Sequence, residues 1–321
     1  MARGAARVTL PGMSPLARRH STGFVLLGAG LALVWALSAS IGGTDAASPL
    51  AILVLLGGAL VLGLPHGALD LWIAGRQGML GGARGWLAFH VLYLAIAAAV
   101  VALFLLLPAL ALTGFLLLSL WHFADDWAGE GLPKPVAIGC ASVIVLVPTT
   151  AHPGEVASIF AAIMDRPVPD VAGVAYVAGL TTAWVVGGSL VAALALDRRA
   201  GAEVAMVALL AAVLPPLVFF AAYFTLLHGP RHLIRHGGLI AGPGQRVVVL
   251  AYAGLALALV AGLGVWLSHG GTAALDADAM RAAFVGLAAL TVPHALLLER
   301  DKRLIQGASV LPGATDRNSG E

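Results

Sequence analysis

Apolar stretches, each close to the length of a membrane-spanning helix, follow one another along this chain with only short breaks between them. They cover residues 22–41, 49–74, 86–107, 109–128, 135–150, 170–196, 203–228, 246–268 and 278–298. A helix that crosses a bilayer needs about 20 mostly apolar residues. In lipid the backbone must satisfy its own hydrogen bonds, which a helix does within one segment. The pattern therefore predicts an all-α fold, a polytopic transmembrane bundle of eight or nine helices. Composition agrees: 60% of residues are hydrophobic and 11% charged, where soluble domains carry about a quarter charged. The breaks leave no room for a soluble domain. Residues 21–303 are read as one integral-membrane domain, 1–20 as a cytoplasmic N-terminal tail and 304–321 as a disordered C-terminal tail.

The net charge of +2 does not point to nucleic acid, because Arg and Lys stand singly between apolar spans, as topology determinants do. Ahead of the first stretch lie Arg3, Arg7, Arg18 and Arg19 with no acid. That stretch ends in Ser38-Ala39-Ser40, which resembles a signal-peptide cleavage site, but the run is longer than a signal core. It is read as a retained first helix with the N-terminus inside, in a multi-pass protein of the cell inner membrane. The single cysteine, Cys140, lies in an apolar run and is read as helix packing.

Strict alternation of nine crossings puts Arg231, Arg235, Arg246 and the 299–303 cluster outside, against the positive-inside rule. One crossing between residues 130 and 203 is therefore expected to be miscounted. The short apolar segment 153–165 is the suspect, since Val156 to Met164 is too short to cross. Flipping the parity there brings both basic clusters inside. Pro215-Pro216 is expected to kink the seventh stretch.

Ionisable residues within spans are costly and mark candidate functional positions. Four segments carry them: Gly63 to Asp70, with His66; Ser119 to Asp126, with His122; His228 to His232; and Pro293 to Leu297, with His294. Under the flipped topology all four lie toward one membrane face and can meet at one depth. His66 and Asp70, His122 and Asp126, and His228 and His232 are each four apart, the spacing of one helix face. An H-x-x-x-H pair can supply two ligands to one ion, although Pro230 interrupts the turn. An H-x-x-x-D pair can place a carboxylate against a ligand's second ring nitrogen, directly or through a neighbour.

A lone buried histidine is more often a hydrogen-bonded packing residue than a ligand; several at matching depth, two with acids at the same offset, read as a metal site. His20 is placed in the tail, and His152 and His269 in outer loops. His90 reads as a capping or interfacial residue, His236 as a weak candidate, and Arg231 and Arg235 as interfacial anchors. Trp121 and Phe123 flank His122 and are candidates to line a pocket. All-imidazole ligation suits iron, copper or zinc. Four imidazoles on an octahedral ion leave two positions open, which fits dioxygen at Fe(II), whereas a four-histidine zinc site is closed. The residues alone leave that choice open.

At these segments the chain resembles the Brp/Blh family of bacterial and archaeal membrane β-carotene cleavage enzymes. The likeness rests on G-x-P-H-G-A-x-D at Gly63 to Asp70, H-F-x-x-D at His122 to Asp126, H-x-x-x-H at His228 and His232, and P-H-x-L-L at Pro293 to Leu297. The resemblance implies an iron-dependent oxygenase that uses dioxygen to split the central 15,15′ double bond of β-carotene into two all-trans-retinal molecules. It implies His66, His122, His228 and His232 as catalytic Fe(2+) ligands. Asp70, Asp126, His294, Trp121 and Phe123 are then expected behind the ligands or in the pocket wall. Ala124 stands where the family pattern has glycine. Substrate would enter from membrane lipid, and the retinal would connect the protein functionally to a rhodopsin.

A di-iron desaturase would need more clustered histidine boxes than the one H-x-x-x-H pair present here. A haem protein would use histidine pairs across two helices. The alternative from another class is a metal-binding transporter, which should show a polar path through the bilayer, yet the outer halves of these helices are almost purely apolar. A non-catalytic rhodopsin accessory protein would carry much the same sequence.

Overall fold

The computed structural model describes residues 14–40, 57, 67–240, 242–267 and 275–309. In chain order its helices are α1 (Pro15–Ser40), α2 (Asp70–Arg76), α3 (Gly82–Leu106), α4 (Pro108–Ala128), α5 (Lys134–Ala151), α6 (Pro153–Met164), α7 (Val171–Leu196), α8 (Arg198–Val213), α9 (Pro216–Tyr223), α10 (Gly229–His236), α11 (Pro243–Leu267) and α12 (Leu275–Ser309). A π-helical turn, Phe224–His228, joins α9 to α10. Among the described residues there is no strand, and seven helices are long and apolar enough to cross a membrane. The protein is an all-α polytopic membrane bundle. Most of the 49–74 stretch lies outside the described residues, as do 1–13 and 310–321. Helix α1 begins at Pro15, and α12 runs on to Ser309, both within stretches read from sequence as tails.

Helix α12 is the most enclosed of the seven and packs against α2, α3, α4, α6 and α11. Helices α3 and α11 flank it with little of their own surface covered, and Leu92, Leu94, Leu255 and Leu259 project outward from them. A helix that is apolar on all sides needs lipid or protein around it, and among the described residues these two have little protein on their outer faces. Lipid tails give little hydrophobic drive between helices, so close backbone approach matters. Helix α1 buries one narrow stripe, Ser21, Phe24, Gly28 and Ala32, against α8. A Cβ on Gly28 would stand 2.8 Å from Met206 Cγ, so only glycine permits this contact without displacement.

The topology differs from the sequence expectation at one place. Pro215-Pro216 does not merely kink the seventh stretch; the chain reverses there. Leu214 and Pro215 are extended, with ψ of 145° and 144°, because proline disfavours a helical residue before it. Arg231 in α10 is ion-paired with Glu203 near the start of α8 at 2.6 Å. At the other end of α8, the Ala212 carbonyl is bonded by His152, where α5 finishes, at 3.1 Å. Helices α8 and α9–α10 are thus two opposed passes, and the stretch 203–228 was the miscounted element. The suspect segment, α6, stays at the opposite end: it starts beside His152 and ends at Asp165, which pairs with Arg281 near the start of α12 at 2.9 Å.

With that reversal, Arg76, Lys134, Arg231, Arg235 and the 299–303 cluster gather at one end of the bundle. Arg76 is ion-paired with Asp301, Lys134 with Asp125 at 2.6 Å and Arg235 with Glu130 at 2.9 Å. This single-ended arrangement of basic residues is what membrane topology favours.

Candidate functional site

Four imidazoles meet toward the basic end, in the middle of the bundle. His122 comes from the end of α4, His228 from the π-helical turn, His232 from α10 and His294 from α12. All four are buried. Their contacts form a chain: His228 to His122 with ring centroids 5.1 Å apart, His122 to His294 at 5.2 Å, and His294 to His232 at 5.1 Å.

Two of the rings are held from behind in the same way. Asp70 Oδ1 lies 2.6 Å from His294 Nδ1, and Asp70 Oδ2 accepts the Tyr93 hydroxyl at 2.9 Å. Asp126 Oδ2 lies 3.1 Å from His228 Nδ1 and accepts the Tyr223 hydroxyl at 2.6 Å. An ionised carboxylate can only accept, so each contact puts the ring proton on Nδ1. The neutral imidazole then carries its lone pair on Nε2, and the Nε2 atoms of His228, His232 and His294 are all buried. Each carboxylate serves a ring on a distant segment.

Two prolines shape the backbone beneath these rings. Pro230 has no N–H for the turn before it, and the Leu226 carbonyl in that turn is instead bonded by His20 Nε2 at 2.9 Å. The chain adopts a π-helical turn at the same place, a local widening that often accompanies functional residues. His20 is therefore part of the bundle, since it lies in α1 and reaches across to this turn. Pro293 likewise offers no N–H inside α12, and in the turn before it the Leu290 carbonyl accepts from the Tyr93 hydroxyl at 3.2 Å.

Arg231 and Arg235, expected at the interface, are clamps on the site. Arg231 is buried; it donates to Glu203 at 2.6 Å and to the Asp126 carbonyl at 2.8 Å. Arg235 donates to the carbonyls of Asp125 and Asp126 at 2.8 and 3.0 Å. Together they fix the short helical turn that carries Asp126. Sequence reasoning missed this role, and missed Glu203, Tyr93 and Tyr223. The available signal was a lone acid, Glu203, inside an apolar stretch.

Of the residues expected at the site, His66 lies outside the described residues. Phe123 packs edge-on against His228 at 4.8 Å and Tyr223 at 5.3 Å. Trp121 does not line the pocket: it is 45% exposed and its ring lies under the Lys134 ammonium, 4.4 Å away. His236 touches His232, with ring centroids 4.5 Å apart. His90 bridges α3 and α11, with its Nε2 2.8 Å from the Tyr252 hydroxyl. Ala124 is fully buried beside the ring of Phe123.

Two apolar clefts flank the cluster. One, of about 150 Å³, has His294, Asp70 and Tyr93 in its wall, and the exposed Leu94, Leu255 and Leu259 also line it. The other, of about 110 Å³, is lined by Phe123, Ser119 and Phe224 among others and is as open as the first.

Residues 58–300 match the family described as β-carotene 15,15′-dioxygenase. The chain belongs to the β-carotene 15,15′-dioxygenase family. A curated relative, the β-carotene 15,15′-dioxygenase of an uncultured marine bacterium, 66A03, is 29% identical over 258 residues, covering 74% of this chain and 89% of the relative. No solved structure matches significantly. The matched region of this dioxygenase-family chain takes in every histidine of the cluster and both carboxylates behind it.

The donor set can be tested against a metal ion. Two rings bound through Nε2 at about 2.1 Å hold their centroids on the order of 5 Å apart, and the observed spacings are 5.1 to 5.2 Å. Imidazoles backed by carboxylates are also the usual arrangement around protein-bound metals. The pairs and the chemistry fit. Among the described residues, however, no three His, Cys, Asp or Glu side chains already stand grouped closely enough to hold an ion.

Proposed function

We propose that this protein oxidatively cleaves the central double bond of β-carotene, giving two molecules of all-trans-retinal, with Fe(2+) as cofactor. Support comes from membership of the dioxygenase family and from one geometric observation: carboxylates behind His228 and His294 present two Nε2 lone pairs within a buried imidazole cluster. His122, His228 and His232 would hold the iron, with His66 from the preceding segment. His294, backed by Asp70 as His228 is by Asp126, joins them as a candidate ligand.

The reaction balances without an outside reductant. One dioxygen adds one oxygen atom to each carbon of the cut double bond, and two aldehydes leave. Bound iron would supply the means of activating dioxygen. The chain's own side chains do the rest. Asp70 and Asp126 keep the Nδ1 protons in place and so fix ring orientation. Tyr93 and Tyr223 each donate a further hydrogen bond to those carboxylates. Phe123, Phe224 and the apolar cleft walls exclude water and hold a hydrocarbon by area burial alone, at about 25 cal/mol per Å². A substrate that dissolves in lipid can enter sideways through the mouth between α3 and α11.

The test is expression in bacteria that accumulate β-carotene. Loss of orange colour with retinal formed in proportion supports the proposal. Unchanged pigment, with iron present in the purified protein, refutes it.

A further inference from the structure

The family match begins at residue 58, so helix α1 lies wholly ahead of it. Yet α1 packs on α8, on α10 and on the π-helical turn that carries His228. Its seat on α8 is set at Gly28, where a Cβ would stand 2.8 Å from Met206 Cγ. About two turns before Gly28, His20 reaches the π-helical turn itself, with Nε2 2.9 Å from the Leu226 carbonyl. A carbonyl only accepts, so Nε2 carries the proton and donates it. The Nδ1 lone pair is then buried with no hydrogen-bond partner among the described residues. That arrangement costs free energy, and packing alone would not favour it. In α-helical register the Leu226 carbonyl would take its bond from residue 230, and Pro230 has no N–H to give. An unmet backbone carbonyl is costly in lipid. His20 meets it from outside the segment, two residues before His228.

We propose that His20 is a positioning residue for the imidazole cluster: by holding the Leu226 carbonyl it fixes the π-helical turn, and through that turn the direction of His228 and the start of α10. This rests on the metal-site reading above and deepens it by making α1 part of what the site requires. The turn is held from two sides. His20 grips its backbone from α1, and Arg231, early in α10, is tied to Glu203 of α8 at 2.6 Å. Helix α8 seats α1 as well, so one helix carries both supports. His228 is backed at its ring by Asp126 and braced at its backbone by His20. A π-helical turn is a local widening that relaxes readily to α register unless something holds it. The bond from α1 is what holds it here.

The experiment compares His20→Phe, which keeps an aromatic ring and loses the donor, with His20→Gln, which keeps a donor. A further variant, Gly28→Leu, wedges α1 away from Met206 without touching His20, and carries the same comparison should His20→Phe not fold. Full-length protein in detergent is titrated with Co(2+), which imidazole binds as it does iron. Chelator competition gives the affinity, and the visible bands report ligand geometry. Hydrogen exchange of amides 224–232 is followed in metal-free protein. His20→Phe and Gly28→Leu are each expected to weaken Co(2+) binding about tenfold, the lower end of what disturbing a ligand's support costs. They should also shift the visible bands and speed exchange in that segment. His20→Gln should restore wild-type behaviour. Pro230→Ala returns a backbone N–H to the turn and should make the protein indifferent to His20→Phe. A purely structural His20 would lower the unfolding midpoint in His20→Phe but leave affinity, bands and segment exchange as in wild type, and that result overturns the proposal. Equal losses in His20→Gln and His20→Phe overturn it too. A wild-type protein that takes up no ion would instead remove the metal reading, and exchange of 224–232 would still decide whether His20 holds the turn.

Discussion

Asp70 accepts the Nδ1–H of His294 at 2.6 Å, across 224 residues of sequence. The contact joins the start of α2 to the middle of α12. It repeats, on the other side of the cluster, what Asp126 does for His228. The chain thus builds the same tyrosine–aspartate–histidine arrangement twice from unrelated segments. Asn in place of either aspartate would keep the shape but could turn an N–H toward the ring. Asp70→Asn is expected to lower iron affinity about 10- to 100-fold, the usual cost of disturbing a ligand's outer partner. Iron content after dialysis at graded chelator concentrations measures it, and wild-type retention would show that Asp70 does not orient a ligand.

His122 lies in the centre of the imidazole chain, touching both His228 and His294. His122→Ala should abolish cleavage and most bound iron. His294→Ala should also lose iron, whereas His90→Ala, a change in the α3–α11 bridge, should keep it. Metal analysis of the three purified proteins separates these outcomes. Full iron in His294→Ala would return that residue to a purely supporting role.

The buried Arg231–Glu203 pair clamps the turn that carries Asp126. Removing one partner leaves a buried charge without its counterion, which costs about 3–5 kcal/mol. Glu203→Gln should therefore lower the thermal unfolding midpoint in detergent markedly. Replacing both residues by apolar ones of similar volume, Glu203→Leu with Arg231→Met, should recover much of that stability. A double variant as unstable as the single one would contradict the clamp's electrostatic origin.

Phe123 and Trp121 flank the same histidine but face opposite ways. Phe123→Ala opens a cavity in the core and is expected to cost about 3–5 kcal/mol, with loss of turnover. Trp121→Leu, on the exposed face under Lys134, should change stability by under about 0.5 kcal/mol and leave retinal formation intact. Thermal unfolding and product assays on both variants check the contrast. A large activity loss in Trp121→Leu would place that ring in the substrate path.

Much of this protein was legible in one dimension, because lipid imposes a single demand on every span. Runs of apolar residues long enough to cross show themselves without any knowledge of neighbours, so the all-α membrane bundle followed directly. The histidines at 122, 228, 232 and 294 were legible for the same reason: an ionisable group in an apolar run stands out. The pairing of partners was not. Spacing along one helix suggested only that Asp126 could back some ligand's ring, directly or through a neighbour; helix crossing brings it to His228, 102 residues on. Pro215-Pro216 was read as a bend and is a reversal. Proline dictates only the local dihedral; the direction of the following helix depends on what it packs against. Arg231 was read as an interfacial anchor and Glu203 drew no notice until opposed passes brought the two together. Local chemistry along the chain determined which residues would sit in the membrane and which would be costly there. Tertiary packing alone decided which of the costly ones share a partner, since contact between segments depends on long-range geometry that no short stretch encodes.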